Sequence, residues 1–189
     1  MDADTVGMRP EELVKRALDT RNMGNIGIAY TYNEPSIWYE YVYDCAVLAC
    51  KEGLSNVLVT NGFIGEEPLM KLLPYISAMN IDVKAYTNEF YRDICKAALL
   101  DVKRTVALAV PLCHVEVTTL VIPGMNDTEE EITELSAWLA SISTDIPLHL
   151  NRFFPAYKLA DKPVTPLDVL ERAKKCALRY LEYVYIGNV

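Results

Sequence analysis

The chain has 189 residues, about half of them apolar, enough for one domain with a substantial core, and no break in composition marks a second. Its 18 Lys and Arg against 26 Asp and Glu give a net charge of −8, the wrong sign for a general grip on nucleic acid. There is no charged-then-apolar leader and no apolar run near the ~20 residues that span a bilayer, so the expectation is a cytoplasmic protein without a membrane partner.

In chain order, "RPEELVKRAL" opens a helix with Pro10 at its first position, and a strand follows over about 26–31. "SIWYEYVYDCAVLACKEG" predicts a helix closed by Gly53, and strands follow at 56–60, 79–84 and 114–122. "DTEEEITELSAWLASI" carries Thr128 and Glu131 at capping-box spacing, a strand falls at 147–152, and "TPLDVLERAKKCALRYL" repeats the pattern with Thr165, Pro166 and Asp168 before a last strand at 182–188. Strands every ~25–35 residues with helices between them, mostly apolar throughout, predict parallel βα units. A complete eight-unit barrel takes ~250 residues, so about six units predict an open, partial TIM-like (β/α)6-type barrel or a doubly wound sheet.

In either architecture the loops after the strands share one rim, and polar residues recur there. The first strand ends in Tyr32, Asn33 and Glu34, the second in Thr60, Asn61 and Gly62, and the third in Asp82 and Lys84. The fourth offers Thr118 and then Pro123, Gly124, Asn126 and Asp127; the fifth offers Asn151 and Arg152. Each has a plainer explanation. Asn33, Ser36 or Asp127 can cap a helix, Glu34 can answer a helix dipole, and Thr-Asn-Gly is an ordinary turn. Asp82 and Lys84, two apart on a strand, point the same way and form an internal ion pair, which as structure alone rarely repays its desolvation. Together the strand ends favour a site.

Acceptors for an ammonium and donors for a carboxylate suit a zwitterionic or nucleoside-like ligand better than a phosphate, and no glycine-rich phosphate loop occurs. His114 and His149 sit in strands without a third ligand at useful spacing, so no metal is assigned to them. The five cysteines, Cys45, Cys50, Cys95, Cys113 and Cys176, are odd in number and scattered in apolar stretches, as buried hydrophobes would be.

The ordered set "YTYNEPSIWYEY", "NVLVTNGF", "MNIDVKAY", "EVTTLVIPGMND" and "LNRFFPAYKL" resembles the radical S-adenosylmethionine (SAM) proteins near pyruvate formate-lyase activating enzyme, in particular the AmmeMemoRadiSam-system branch, from about Pro10 to Val189. The resemblance implies that the segment holding Tyr32, Asn33 and Glu34 meets the methionine ammonium of SAM. Asn61 follows the next strand, Asp82 and Lys84 match the family's Asp-x-Lys beside SAM, and Thr118 stands where activating enzymes carry an arginine that meets the SAM carboxylate. No catalytic residue and no metal ligand is assigned in this chain.

Three departures stand out. Relatives bind a 4Fe–4S cluster through C-x3-C-x2-C, and this chain has no such triplet, Cys45 and Cys50 being C-x4-C inside a predicted helix. "GMRPEELVKRAL" resembles the helix after the cluster loop, so the expectation is one domain over 1–189 that lacks the N-terminal βα unit and is inactive in radical chemistry alone. Val59 replaces an aspartate of "DTNG", and Phe154 replaces a histidine of "LPYH". Two other readings remain: a Schiff-base aldolase barrel with Lys84 as nucleophile and Asp82 or Glu34 as proton shuttle, or a non-catalytic SAM- or nucleoside-binding module. The expected partners are SAM and a protein substrate. The exposed barrel edge predicts a homodimer, or a first helix laid across the gap.

Overall fold

The computed structural model describes residues 6–189. Six strands, β1 (Gly27–Tyr30), β2 (Ser55–Thr60), β3 (Ala78–Asp82), β4 (His114–Val121), β5 (Leu148–Arg152) and β6 (Val184–Gly187), form one all-parallel sheet in sequential order. Right-handed crossovers between neighbours in that order place the connecting helices on one face. The fold is the expected open, partial barrel, with β1 and β6 as its two edges.

One expectation needs correction. The strands do not read as buried on both sides: β4 alternates strictly, with Val115, Val117, Thr119 and Val121 buried and Glu116, Thr118 and Leu120 only half-buried. Helices cover the convex face alone, and the concave face, which a closed barrel would fill with side chains, opens as a trough. The core therefore lies between sheet and helices, where Leu58, Ile81, Val117 and Leu150 meet Ala46, Leu69, Val106 and Leu135.

The helices are α1 (Pro10–Asp19), α2 (Tyr39–Lys51), α3 (Glu66–Leu72), the single turn α4 (Asn88–Phe90), α5 (Leu99–Ala109), α6 (Glu129–Ile142) and α7 (Leu167–Ala177). Pro10 opens α1 as expected, and Gly53, at φ 68°, ends the turn after α2. The expected helix from Ser36 is instead a 3-10 turn at Pro35–Trp38 followed by α2, with Glu34 as the cap of that turn.

One predicted capping box is only half formed, and one predicted cap serves a tertiary contact instead. Thr128 does accept the Glu131 N–H, but the Glu131 carboxylate accepts the N–H of Tyr86 at 2.6 Å rather than returning to Thr128. Thr165 is buried and links strands: its hydroxyl donates to the Val121 carbonyl at 2.6 Å and accepts the Phe153 N–H at 3.0 Å. Asp127 bonds the Gly124 N–H, leaving the cap of α6 to Thr128. Helix α1 packs through Val14 and Ala17 on Ala49 and Leu54, beside α2 on the convex side.

Candidate functional site

The carboxyl ends of β1, β2 and β3 meet around one hollow of about 460 Å³, lined by Tyr32, Asn33 and Glu34 from the first, Thr60 and Asn61 from the second, and Asp82 and Lys84 from the third. Glu34 fixes the geometry. Its Oε1 accepts the Thr60 hydroxyl at 2.7 Å and the Ser36 N–H at 3.1 Å, and its Oε2 accepts the Asn61 N–H at 2.7 Å. A carboxylate taking three such donors ties the loop after β1 to the end of β2 and is itself 8% exposed.

The Thr-Asn-Gly turn has its own internal bonds. The Thr60 hydroxyl accepts the Gly62 N–H at 3.1 Å, and the Asn61 side-chain oxygen accepts the Phe63 N–H at 2.8 Å. Gly62 adopts φ +72°, and a Cβ there would lie 2.8 Å from Ile81 Cγ2, so both conformation and space demand glycine.

Asp82 and Lys84 lie on one side of their strand, as the two-residue spacing predicts, and the Lys84 Nζ donates to Asp82 Oδ2. Both side chains stay over a third or nearly a third exposed, the pair opening into the hollow rather than being sealed in the core. The Lys84 backbone is clamped on both sides: its N–H donates to the Tyr91 hydroxyl at 3.1 Å, and its carbonyl accepts the Asn126 amide at 2.7 Å.

Six of the seven residues singled out from the sequence thus converge. Thr118 does not line the hollow; it sits beside Asp82 in the β3–β4 register, and its hydroxyl donates to the Asn80 side chain at 2.9 Å. Two supporting residues were missed as such. Thr60 and Asn126 stand in the sequence as polar groups at strand ends without an assigned role; the Thr60 hydroxyl fixes Glu34, and the buried Asn126 amide holds Lys84. Such roles span 26 and 42 positions of chain and leave no local signal.

Further along the trough, the strand register aligns Asp82, Thr118, His149 and Tyr185 in one row across β3 to β6. Glu116 accepts from His149 at 2.7 Å and from His114 at 3.1 Å, and the His149 ring stacks on Tyr185 with centroids 5.3 Å apart. Partial burial pushes the Glu116 carboxyl up, but the two imidazoles outweigh it and hold the group below its ordinary value. Alternation along "HVEVT" predicts that His114, Glu116 and Thr118 share a face; the partner on β5 is a matter of register.

In an open parallel half-barrel the loops after the strands gather at the carboxyl rim, and the polar hollow lies there. The Radical SAM superfamily profile matches residues 3–136, and the chain belongs to that family. It is 44% identical over 185 residues to the uncharacterized protein MJ0808 of Methanocaldococcus jannaschii, covering 96% of this chain and 54% of that protein. Its fold is similar to a domain of pyruvate-formate lyase-activating enzyme from Bacteroides vulgatus, with a TM-score of 0.73, 17% identity, and 86% of this chain and 99% of that one covered. It is also similar to Streptococcus suis SuiB bound to S-adenosylmethionine, with a TM-score of 0.76, 11% identity, and 98% and 44% covered. The chain spans about half the length of the curated relatives it matches.

The two cofactors of the family fare differently against these residues. For SAM, the hollow presents carboxylate oxygens of Asp82 toward an ammonium and the ammonium of Lys84 toward a carboxylate, in a space of suitable size, so the donor set fits a zwitterion. For an iron–sulfur cluster the fit fails. Cys45 and Cys176 are buried in α2 and α7, Cys50 is exposed at the end of α2, Cys95 lies beyond α4, and Cys113 precedes β4. Among the described residues no three His, Cys, Asp or Glu are placed to hold a metal ion. No step below runs through a cluster.

Proposed function

We propose that this chain is a SAM-binding radical SAM core of the glycyl-radical-activating-enzyme type, with the methionine end of SAM seated in the rim hollow. Asp82 and Asn33 would accept from the ammonium, and Lys84 with the Asn61 amide would donate to the carboxylate. Glu34 acts chiefly by holding Thr60 and Asn61 in place. Thr118 lies one strand over from Asp82, beside the hollow rather than in it, and Tyr32, 91% exposed, stands at the mouth.

The observation that carries the reading is the meeting of three successive strand ends around one zwitterion-sized space. In this family the radical chemistry of SAM would require one electron from an iron–sulfur cluster, which cleaves the sulfonium to methionine and a 5′-deoxyadenosyl radical. The cysteines here do not assemble the cluster, so the proposal for this chain is binding without turnover by itself. A protein substrate and pairing of two chains along the free β1 edge belong to the same proposal; scattering that finds only monomer at high concentration contradicts the pairing. Equilibrium dialysis with labelled SAM tests the binding, and retention no greater than for a nonbinding control protein contradicts it.

A second reading has one observation in its favour. Lys84 stands beside a carboxylate, Asp82, at the edge of an apolar cavity, as a Schiff-base lysine with its proton shuttle would. The TYW1 structure with a lysine-pyruvate adduct bound, similar in fold at 17% identity and a TM-score of 0.65, is an example of such an adduct in a related architecture. Borohydride trapping of a carbonyl compound on Lys84 supports this reading, and no adduct counts against it.

A further inference from the structure

A second hollow, about 400 Å³, shares Lys84 and Asn61 with the first and lies on their other side. It exists because of how the chain leaves β3. Thr87 caps α4, which runs on into a π-helical turn over Tyr91–Cys95, and Lys96 ends that turn in the left-handed conformation at φ 56°. Tyr91 anchors the excursion at both ends: its hydroxyl accepts the Lys84 N–H, and its carbonyl accepts the Ala97 N–H at 3.0 Å. The wide turn arches away from the sheet, and π-helical turns are frequent where a ligand is accommodated.

The walls under the arch are apolar: Phe90 and Tyr91 from the arch, Val102 from α5, and Leu120 and Ile122 at the end of β4. At the mouth Phe63 is 46% exposed and Ile94 50% exposed, so large apolar surfaces face water beside an apolar space. The size falls within the roughly 300–1,000 Å³ of small-molecule sites.

Charge decides the polar end of the occupant. Among the described residues no carboxylate lines this hollow, although the chain carries −8 overall, whereas two lysines do, Lys84 and the exposed Lys96. The Lys84 ammonium donates one hydrogen bond to Asp82, on the side of the other hollow, and keeps its remaining donors. The Asn61 side chain accepts through its oxygen, and its amide hydrogens make no bond to the other described residues.

We propose that this second hollow binds a small apolar carboxylate, its aromatic or branched body under the Tyr91 arch and its carboxylate at Lys84 and Lys96. The shared wall sets that ligand next to the rim hollow, so it is the position of a substrate there; this last step rests on the SAM reading, while the binding itself does not. An apolar body without an acid gains the burial but leaves the ammonium groups unanswered, and an amine meets them as like charge.

The test is a methyl-labelled spectrum of the chain titrated with 4-phenylbutyrate and, separately, with 4-phenylbutylamine. The expected result is saturable shifts at Ile94, Val102, Leu120 and Ile122 with the acid and none with the amine. Lys96→Gly, which suits the positive φ and so keeps the fold, weakens the acid about fivefold, the worth of one partly solvated ion pair. Absence of saturable shifts, or an amine that binds as well as the acid, overturns the proposal. A titration with SAM, read at Val59 in the rim hollow, separates the two ideas: no shift at Val59 with shifts at Ile122 on adding the acid contradicts the SAM reading and leaves this one standing.

Discussion

Glu34 and Asn61, 27 positions apart, are joined by a 2.7 Å hydrogen bond from the Asn61 backbone N–H to the Glu34 carboxylate, and the neighbouring Thr60 hydroxyl bonds the other oxygen at the same distance. Removing the carboxylate leaves a buried hydroxyl and a backbone donor without their acceptor. Glu34→Ala is expected to cost about 1–3 kcal/mol of stability in urea unfolding and to weaken ligand binding in the hollow. Glu34→Gln, which keeps one acceptor oxygen, should fall between the two.

Asn126 holds Lys84 from behind. Its amide donates to the Lys84 and Leu120 carbonyls at 2.7 and 2.9 Å, and its oxygen accepts the Ile122 N–H at 2.7 Å, all within a side chain 1% exposed. Asn126→Ala is expected to destabilise the fold by about 1–3 kcal/mol. Asn126→Asp keeps the acceptor but loses both donors, and amide exchange should quicken around Lys84 in either variant.

Gly62→Ala brings both a left-handed backbone strain and a Cβ 2.8 Å from Ile81 Cγ2. A loss of about 1–3 kcal/mol is expected, measured by thermal or urea unfolding. A neutral result means that the turn after β2 relaxes more easily than its packing implies.

Glu116 sets an acid limit on stability. Its carboxyl lies below the ordinary 4.5 because the bonds from His114 and His149 outweigh the effect of burial. As pH falls below about 4.5 the unfolded chain therefore takes up a proton first, so this contribution, complete above that value, is lost as pH drops through the lower folded value. Unfolding curves between pH 3 and 7 should show that fall in the wild type and a shallower one in Glu116→Gln.

The βα alternation was legible because apolar runs, Pro10 and Gly53 are local signals, and all six strands fall within two residues of where hydrophobic runs place them. The one-sided cover of the sheet was less so. Val57, Val59 and the alternating residues of β4 follow the open trough, and openness is a property of how many strands close the barrel. Six site residues could be nominated because strand ends share a rim. What Glu131 and Thr165 bond to could not, since a short capping pattern looks the same whether the side chain turns back to its own helix or reaches Tyr86 or Val121. The second hollow was hidden for the same reason: nothing local in "YRDIC" states that it forms a wide helical turn.

Calorimetric titration of SAM into the wild-type chain and Asp82→Asn tests the central claim most directly. The account predicts one saturable site, weakened about tenfold or more when the carboxylate facing the ammonium becomes an amide. Undetectable heat with the folded wild type, or equal affinity in the two proteins, would contradict it.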